Sequence, residues 1–197
     1  MFFSFKKFLL TVGIGLWLAG AAWGMKWMAD YSLTPGAAGA PVRDWPLPDR
    51  PLIAGRFTVV VALHPECPCS RATLVELDSI LLQAGDALGA LLIFIDPSPE
   101  EPAKNSALYR QASALPRTRL MCDASGAELK RFSFRTSGET RLYGPDGRLV
   151  FRGGITGSRG HVGDNPGQAA LLAALRSGAG EGPPVAMPVF GCALNDE

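Results

Sequence analysis

Phe57-Thr-Val-Val-Val-Ala-Leu63 followed by His64-Pro-Glu-Cys67-Pro-Cys69-Ser70 is the stretch that decides the fold. Seven apolar or β-branched residues with no polar alternation read as a central, fully buried strand of a parallel sheet. The amphipathic stretch Ser70–Ala84 comes next, with Ala72, Leu74, Leu77, Ile80, Leu81 and Ala84 at three- and four-residue steps. Pro68 suits the first helical position and Cys67 the cap. Two thiols therefore stand where a strand ends and a helix begins, and a helix N-terminus favours thiolate. Thiol chemistry or soft-metal binding follows from that placement.

Downstream, Ala87–Ile95 reads as a second buried strand stopped by Asp96-Pro97-Ser98-Pro99. Glu100–Ser113 is predicted as a helix, Arg119–Cys122 as a short strand and Ala127–Phe132 as one helical turn. Thr140–Tyr143 and Leu149–Arg152 flank Gly144-Pro-Asp-Gly147, a hairpin signal. A glycine-rich loop, Gly153–Gly167, leads to a last helix begun by Asp164 or Asn165 with Pro166. The sequence ends in a loose segment and a small apolar knot, Pro188-Val-Phe-Gly-Cys192.

Upstream, Lys6 and Lys7 precede an uncharged run of 18 residues, Phe8–Met25. At 1.5 Å per residue it spans about 27 Å, close to a bilayer core. Trp23 and Trp27 sit where an aromatic belt belongs, and the lysines favour a cytoplasmic N-terminus. Residues 1–29 thus read as a single-pass signal-anchor in a bacterial-type inner membrane, with the body on the periplasmic side. A cleaved signal peptide, with Ala19-Gly20-Ala21 as its small-residue site, is the rival. Residues 30–51 carry five prolines in the stretch from Pro35 to Pro51 and read as an extended tether. A domain starting near Ile53 and spanning 52–177, then a tail over 178–197, complete the organisation. With 19 basic and 18 acidic residues the chain has no charge excess that would recruit nucleic acid.

The order strand, Cys motif, helix, strand, helix, strand, hairpin, helix resembles a thioredoxin-like α/β fold, a mixed sheet flanked by helices, of the membrane-tethered TlpA and ResA type. More narrowly, four segments resemble the thioredoxin-like group labelled RedB: His64-Pro-Glu-Cys-Pro-Cys-Ser-Arg-Ala72, Thr136-Ser-Gly-Glu-Thr140, Gly153-Gly-Ile-Thr-Gly-Ser-Arg-Gly-His161 and Pro188-Val-Phe-Gly-Cys192. The resemblance implies that Cys67 attacks and a second thiol resolves the mixed disulfide. Ser70 falls at the usual second-cysteine position, so Cys69 comes one residue early. A Cys67–Cys69 disulfide needs Cys67 outside the helix, and its small ring would be strained and easily reduced. That favours an oxidant or isomerase over a strong reductant.

The resemblance also implies a substrate-facing cis-proline before the hairpin. That position falls here at Gly138 or Glu139, which we take as substrate-binding positions, and neither is proline. It further places the loop 153–163 beside Cys67, bringing Arg159 and His161 to the substrate side. His64, three residues before Cys67, would tune the thiol or act as a base.

Two functions stay open. One is a membrane-anchored, extracytoplasmic thiol–disulfide oxidoreductase with Cys67, Cys69 and His64 catalytic and no required cofactor. It would act on a protein thiol or disulfide together with a separate redox partner. The other is a copper or zinc carrier using Cys67, Cys69, His64 and His161, a soft S2N2 set. A peroxide-reducing thiol, with Arg159 lowering the Cys67 pKa, is a third and weaker reading. Cys122 reads as a core thiol. Cys192 pairs with Cys122, resolves, or stays free.

Overall fold

The computed structural model describes residues 2–49, 52, 56–96, 102–178 and 182–194. The expected domain start at Ile53, the break at Pro97–Pro99, the start of the predicted helix at Glu100, and 179–181 and 195–197 of the tail lie outside them. The chain divides into two units, Met1–Thr34 and Pro35–Glu197. The first is one helix, α1 (Phe2–Leu33), whose Leu16, Trp17 and Trp23 are 70%, 71% and 76% exposed. It is long and apolar enough to cross a membrane and none of its apolar window is buried. A helix that is hydrophobic all round wants an apolar medium, which makes α1 a candidate membrane span.

The second unit is built on a six-stranded sheet ordered β3-β2-β1-β4-β5-β6. Its strands are β1 (Phe57–Leu63), β2 (Leu88–Ile95), β3 (Thr118–Asp123), β4 (Thr140–Tyr143), β5 (Leu149–Gly153) and β6 (Val185–Ala186). β1 runs parallel to β2 and antiparallel to β4, and is therefore interior on both edges. The helices are α2 (Pro68–Ala84), α3 (Ala107–Ser113), α4 (Ala127–Arg131) and α5 (Pro166–Ser177). This is the thioredoxin-like mixed sheet flanked by helices that the sequence predicts.

The side-chain period of two splits β1 between two cores. Val59, Val61 and Leu63 pack with Leu74, Leu77 and Ile80 of α2 and with Leu171 of α5. Val60 and Ala62 face Leu129, Phe132, Phe134 and Tyr143 on the opposite side. Both faces of β1 are thus dry, as its unbroken apolar run requires.

Four expectations need correction. The helix predicted from Glu100 begins only at Ala107, because the Ser106 hydroxyl accepts the Tyr109 N–H at 3.0 Å and caps it there. Cys122 is exposed rather than core, because it lies on β3, the edge strand of the sheet. The Pro-rich segment is no free tether. Gly36 N–H donates to Val189 O at 2.8 Å, Trp45 N–H to Gly147 O at 2.9 Å, and Leu149 N–H to Arg43 O at 2.8 Å. Leu47 is 3% exposed, and Trp45 meets the Phe132 and Tyr143 rings edge-on. The prolines prevent regular structure but not burial of the apolar residues between them. The tail likewise adds β6 to the sheet and buries Val189 and Leu194 at 1% and 4% exposure, so the folded unit extends past residue 177.

Candidate functional site

β1 delivers the chain to the site and α2 leaves from it. Cys67 is the N-cap of α2 with φ −82° and ψ 125°, an extended residue that stays outside the helix, with Pro68 opening the first turn. The junction is tied locally. His64 N–H donates to Ser70 Oγ at 2.9 Å, Cys67 N–H to His64 O at 3.2 Å, and Glu66 N–H to His64 Nδ1 at 3.2 Å. His64 is therefore part of the turn, with one ring nitrogen occupied by the backbone.

Three sulfurs converge. The ligand atoms of Cys67, Cys69 and Cys192 all lie within 4.8 Å of one another. Cys67 and Cys69 are 7% and 5% exposed, while Cys192 is half-buried. The Cys67 and Cys192 sulfurs are 3.4 Å apart, and Ser137 Oγ stands 3.2 Å from Cys67 Sγ. All four cysteines carry free thiols, and Cys122 is outside the cluster.

The C-terminal segment that carries Cys192 is built into the site. Ser137 N–H donates to Cys192 O at 2.8 Å and Cys192 N–H to Ser137 Oγ at 3.1 Å. Leu194 N–H reaches Arg135 O at 2.9 Å, and Thr136 and Ala193 form a β-bridge. A side-chain carbon on Gly191 would meet Ser137 O at 1.9 Å, so only glycine lets the two backbones approach this closely.

The glycine-rich loop also comes to the site. Arg159 donates through its guanidinium to Gly191 O, and the Gly160 backbone hydrogen-bonds the Cys69 thiol. Glu76 of α2, 4% exposed, accepts the Gly163 N–H at 2.6 Å and anchors the loop's far end. His161 is exposed. Among the described residues neither histidine joins the sulfur cluster. The S2N2 set is therefore not assembled, and Cys192 stands in place of the imidazoles.

Gly138, at the position taken for proline, has φ +82° and hydrogen-bonds Ala62 O through its N–H at 2.7 Å. A side chain there would press on Thr73 Oγ1 of α2 at 2.6 Å. Glu139 is 2% exposed and its carboxylate is fully engaged by Gly39 N–H, Arg135 N–H and Arg141. It faces the domain's own backbone.

The cluster holds a single negative charge. The hydrogen bond from the Cys69 thiol, with burial opposing and Ser137, the Ser70 backbone and Cys192 helping, brings the Cys67 pKa down to about 4. The same bond, burial and the charge on Cys67 push the Cys69 thiol up. Burial first, then the bond and charge of Cys67, push Cys192 up, with Cys69 and Arg159 in partial opposition. One sulfur is a standing nucleophile and two are thiols within its reach.

Sequence reasoning missed Ser137 and left Cys192 with three possible roles. The signals were present: a hydroxyl beside the non-proline glycine, and a cysteine inside an apolar C-terminal knot.

No protein-family model matches the chain, and no curated protein matches it. Among solved structures it is similar to a hypothetical protein from Sinorhizobium meliloti, at 20% identity over 83% of this chain and 94% of that one, with a TM-score of 0.57. An uncharacterized conserved protein from Geobacillus kaustophilus shares 16% identity over 84% and 93% of the two chains, with a TM-score of 0.57. The exposed lipoprotein thioredoxin Etrx1 of Streptococcus pneumoniae shares 20% identity over 62% and 85%, with a TM-score of 0.43. At these identities the first two likenesses are of fold alone.

Proposed function

We propose that the protein is a membrane-anchored, extracytoplasmic thiol–disulfide oxidoreductase in which Cys67 is the attacking thiolate and Cys69 a resolving thiol. The observation that carries this reading is the geometry of Cys67, which caps α2 from outside the helix with the Cys69 and Cys192 sulfurs within 4.8 Å. A thiolate at a strand-to-helix corner of a thioredoxin-like fold, with a second thiol donating to it, is the arrangement that disulfide exchange requires. In the forward half-reaction Cys67 attacks a substrate disulfide and the substrate's other sulfur leaves. Cys69 then attacks Cys67, releasing the reduced substrate and leaving an oxidised pair. The substrate is a protein disulfide or thiol, and a separate dithiol partner resets the pair. The candidate span α1 supports the anchored reading, in which the domain works outside the cytoplasm, where a dithiol can cycle. Alkylation and mass counting across glutathione redox buffers tests the reading. Reversible loss of two thiols per molecule is expected, and failure of any intramolecular disulfide to form would overturn it.

The sulfur cluster supports a second reading, a soft-metal carrier. Three thiols within 4.8 Å suit the trigonal sulfur coordination of Cu(I) better than zinc, which wants a fourth ligand that the described residues do not bring. Under reducing conditions this reading expects one Cu(I) per chain, retained in a His64→Ala/His161→Ala variant and weakened in Cys192→Ser. No stoichiometric uptake would end it.

A further inference from the structure

We infer that Cys192 is redox-active: it closes a disulfide with Cys67 and is the sulfur through which the buried motif exchanges with an external dithiol. The inference deepens the exchange reading above and rests on it.

The first support is proximity. Their sulfurs are 3.4 Å apart, against about 2.05 Å in a disulfide, so closure moves each sulfur by less than about 1 Å. The second is that the approach is specified, not incidental. Cys192 is fixed through its N–H and its carbonyl to one residue, Ser137, whose hydroxyl also contacts Cys67 Sγ. Gly191, the bridge at Ala193 and the Arg159 guanidinium hold the flanking backbone. A tail of no consequence would not need a glycine where any side-chain carbon would collide with Ser137 O, nor a buried Val189, to reach this spot. The third support is access. Cys67 and Cys69 are 7% and 5% exposed, while Cys192 is half-buried. Exchange needs in-line attack on a disulfide sulfur, and an outside thiolate reaches Cys192 before the others.

The steps balance. A partner thiolate attacks Cys192 Sγ, the Cys67–Cys192 bond breaks, and Cys67 leaves as thiolate. The partner's second thiol attacks its own sulfur in the mixed disulfide and gives its proton to the departing Cys192. The partner dithiol is oxidised by two electrons and the protein disulfide is reduced. Exchange between the two internal disulfides needs no outside reagent. Cys192 attacks Cys67 Sγ, Cys69 leaves, and the proton lost by Cys192 ends on Cys69.

The test uses the full chain in detergent, oxidised in glutathione buffers and mapped by mass spectrometry. Cys69→Ser, with Cys69→Ala as a second variant, is expected to lose two thiols and yield a peptide linking Cys67 to Cys192. If both variants instead end with Cys67 carrying glutathione or remaining free, while wild type and Cys192→Ser still close a disulfide, the inference falls and the exchange reading stands. If wild type and every variant fail to close one, the exchange reading itself falls. In Cys67→Ser, glutathione is expected to add to Cys192 ahead of Cys69, and the reverse order would remove the proposed point of access.

Discussion

Ser137 Oγ lies 3.2 Å from Cys67 Sγ and accepts the Cys192 N–H at 3.1 Å, so one hydroxyl joins the nucleophile to the C-terminal segment. An oxygen that accepts from one side is free to donate its proton to a thiolate on the other. Ser137→Ala removes that donor while leaving the Ser137 N–H to Cys192 O bond in place. A hydrogen bond to a charged group contributes about 1.5 kcal/mol, which corresponds to roughly one pH unit. The midpoint of Cys67 alkylation by iodoacetamide is therefore expected to rise by about one unit. A midpoint that falls instead would show that Ser137 accepts from a neutral Cys67.

The charge on the cluster also sets how stability depends on pH in the reduced protein. Cys67 titrates near 4 when folded and near the ordinary thiol value of 9.0 when unfolded. Between these values the unfolded chain binds the extra proton, so stability rises with pH. Above 9 the signs reverse, because Cys69 and Cys192 are pushed up in the fold and ionise first in the unfolded chain. Urea unfolding under a phosphine reductant should show the gap between wild type and Cys67→Ser widening from pH 5 to pH 8. A gap that stays flat or narrows would mean that Cys67 is not held ionised.

The parts of this architecture that could be read in advance are those encoded locally. The run 57–63, the Cys67 cap with Pro68, and the Asn165 cap with Pro166 each declare their element within a few residues, and the structure starts α2 and α5 at those prolines. What could not be read depends on distant partners. Cys192 meets Cys67 across 125 residues, and nothing near either position announces the contact. The burial of Leu47 is invisible because the prolines around it signal a linker. Cys122 looked buried because an apolar strand does not reveal whether it will be an edge. Glu139 sits beside the expected substrate position, yet its carboxylate is consumed by backbone donors that come from residue 39.

The contact between Gly191 and Ser137 O gives a way to displace Cys192 without touching a sulfur. Gly191→Ala puts a carbon 1.9 Å from a backbone oxygen, which cannot be relieved by a side-chain rotation. Overpacking of this kind costs about 1–3 kcal/mol. The reduced variant is expected to unfold at lower urea and to alkylate faster at Cys192. The Cys67 midpoint should rise too, because Cys192 helps to hold it down. Stability loss with unchanged reactivity at both thiols would mean that the segment shifts as a unit and keeps the sulfurs together.

Glu139 separates scaffold from chemistry. Its side chain is 2% exposed, Arg141 is fully buried beside it at 3.3 Å, and Arg141 also donates to Ser133 O at 3.2 Å. Burial lowers the Arg141 pKa, and the charge on Glu139 opposes that shift. Removing one partner of a buried pair leaves an uncompensated charge and costs about 3–5 kcal/mol. Glu139→Gln also presents an amide N–H2 to backbone donors from Gly39 or Arg135, which adds a mismatch. Glu139 is not among the groups that set the Cys67 pKa. The variant is therefore expected to lose several kcal/mol in urea unfolding while its folded fraction alkylates Cys67 with an unshifted pH midpoint. A shifted midpoint at full stability would return Glu139 to the working side of the site.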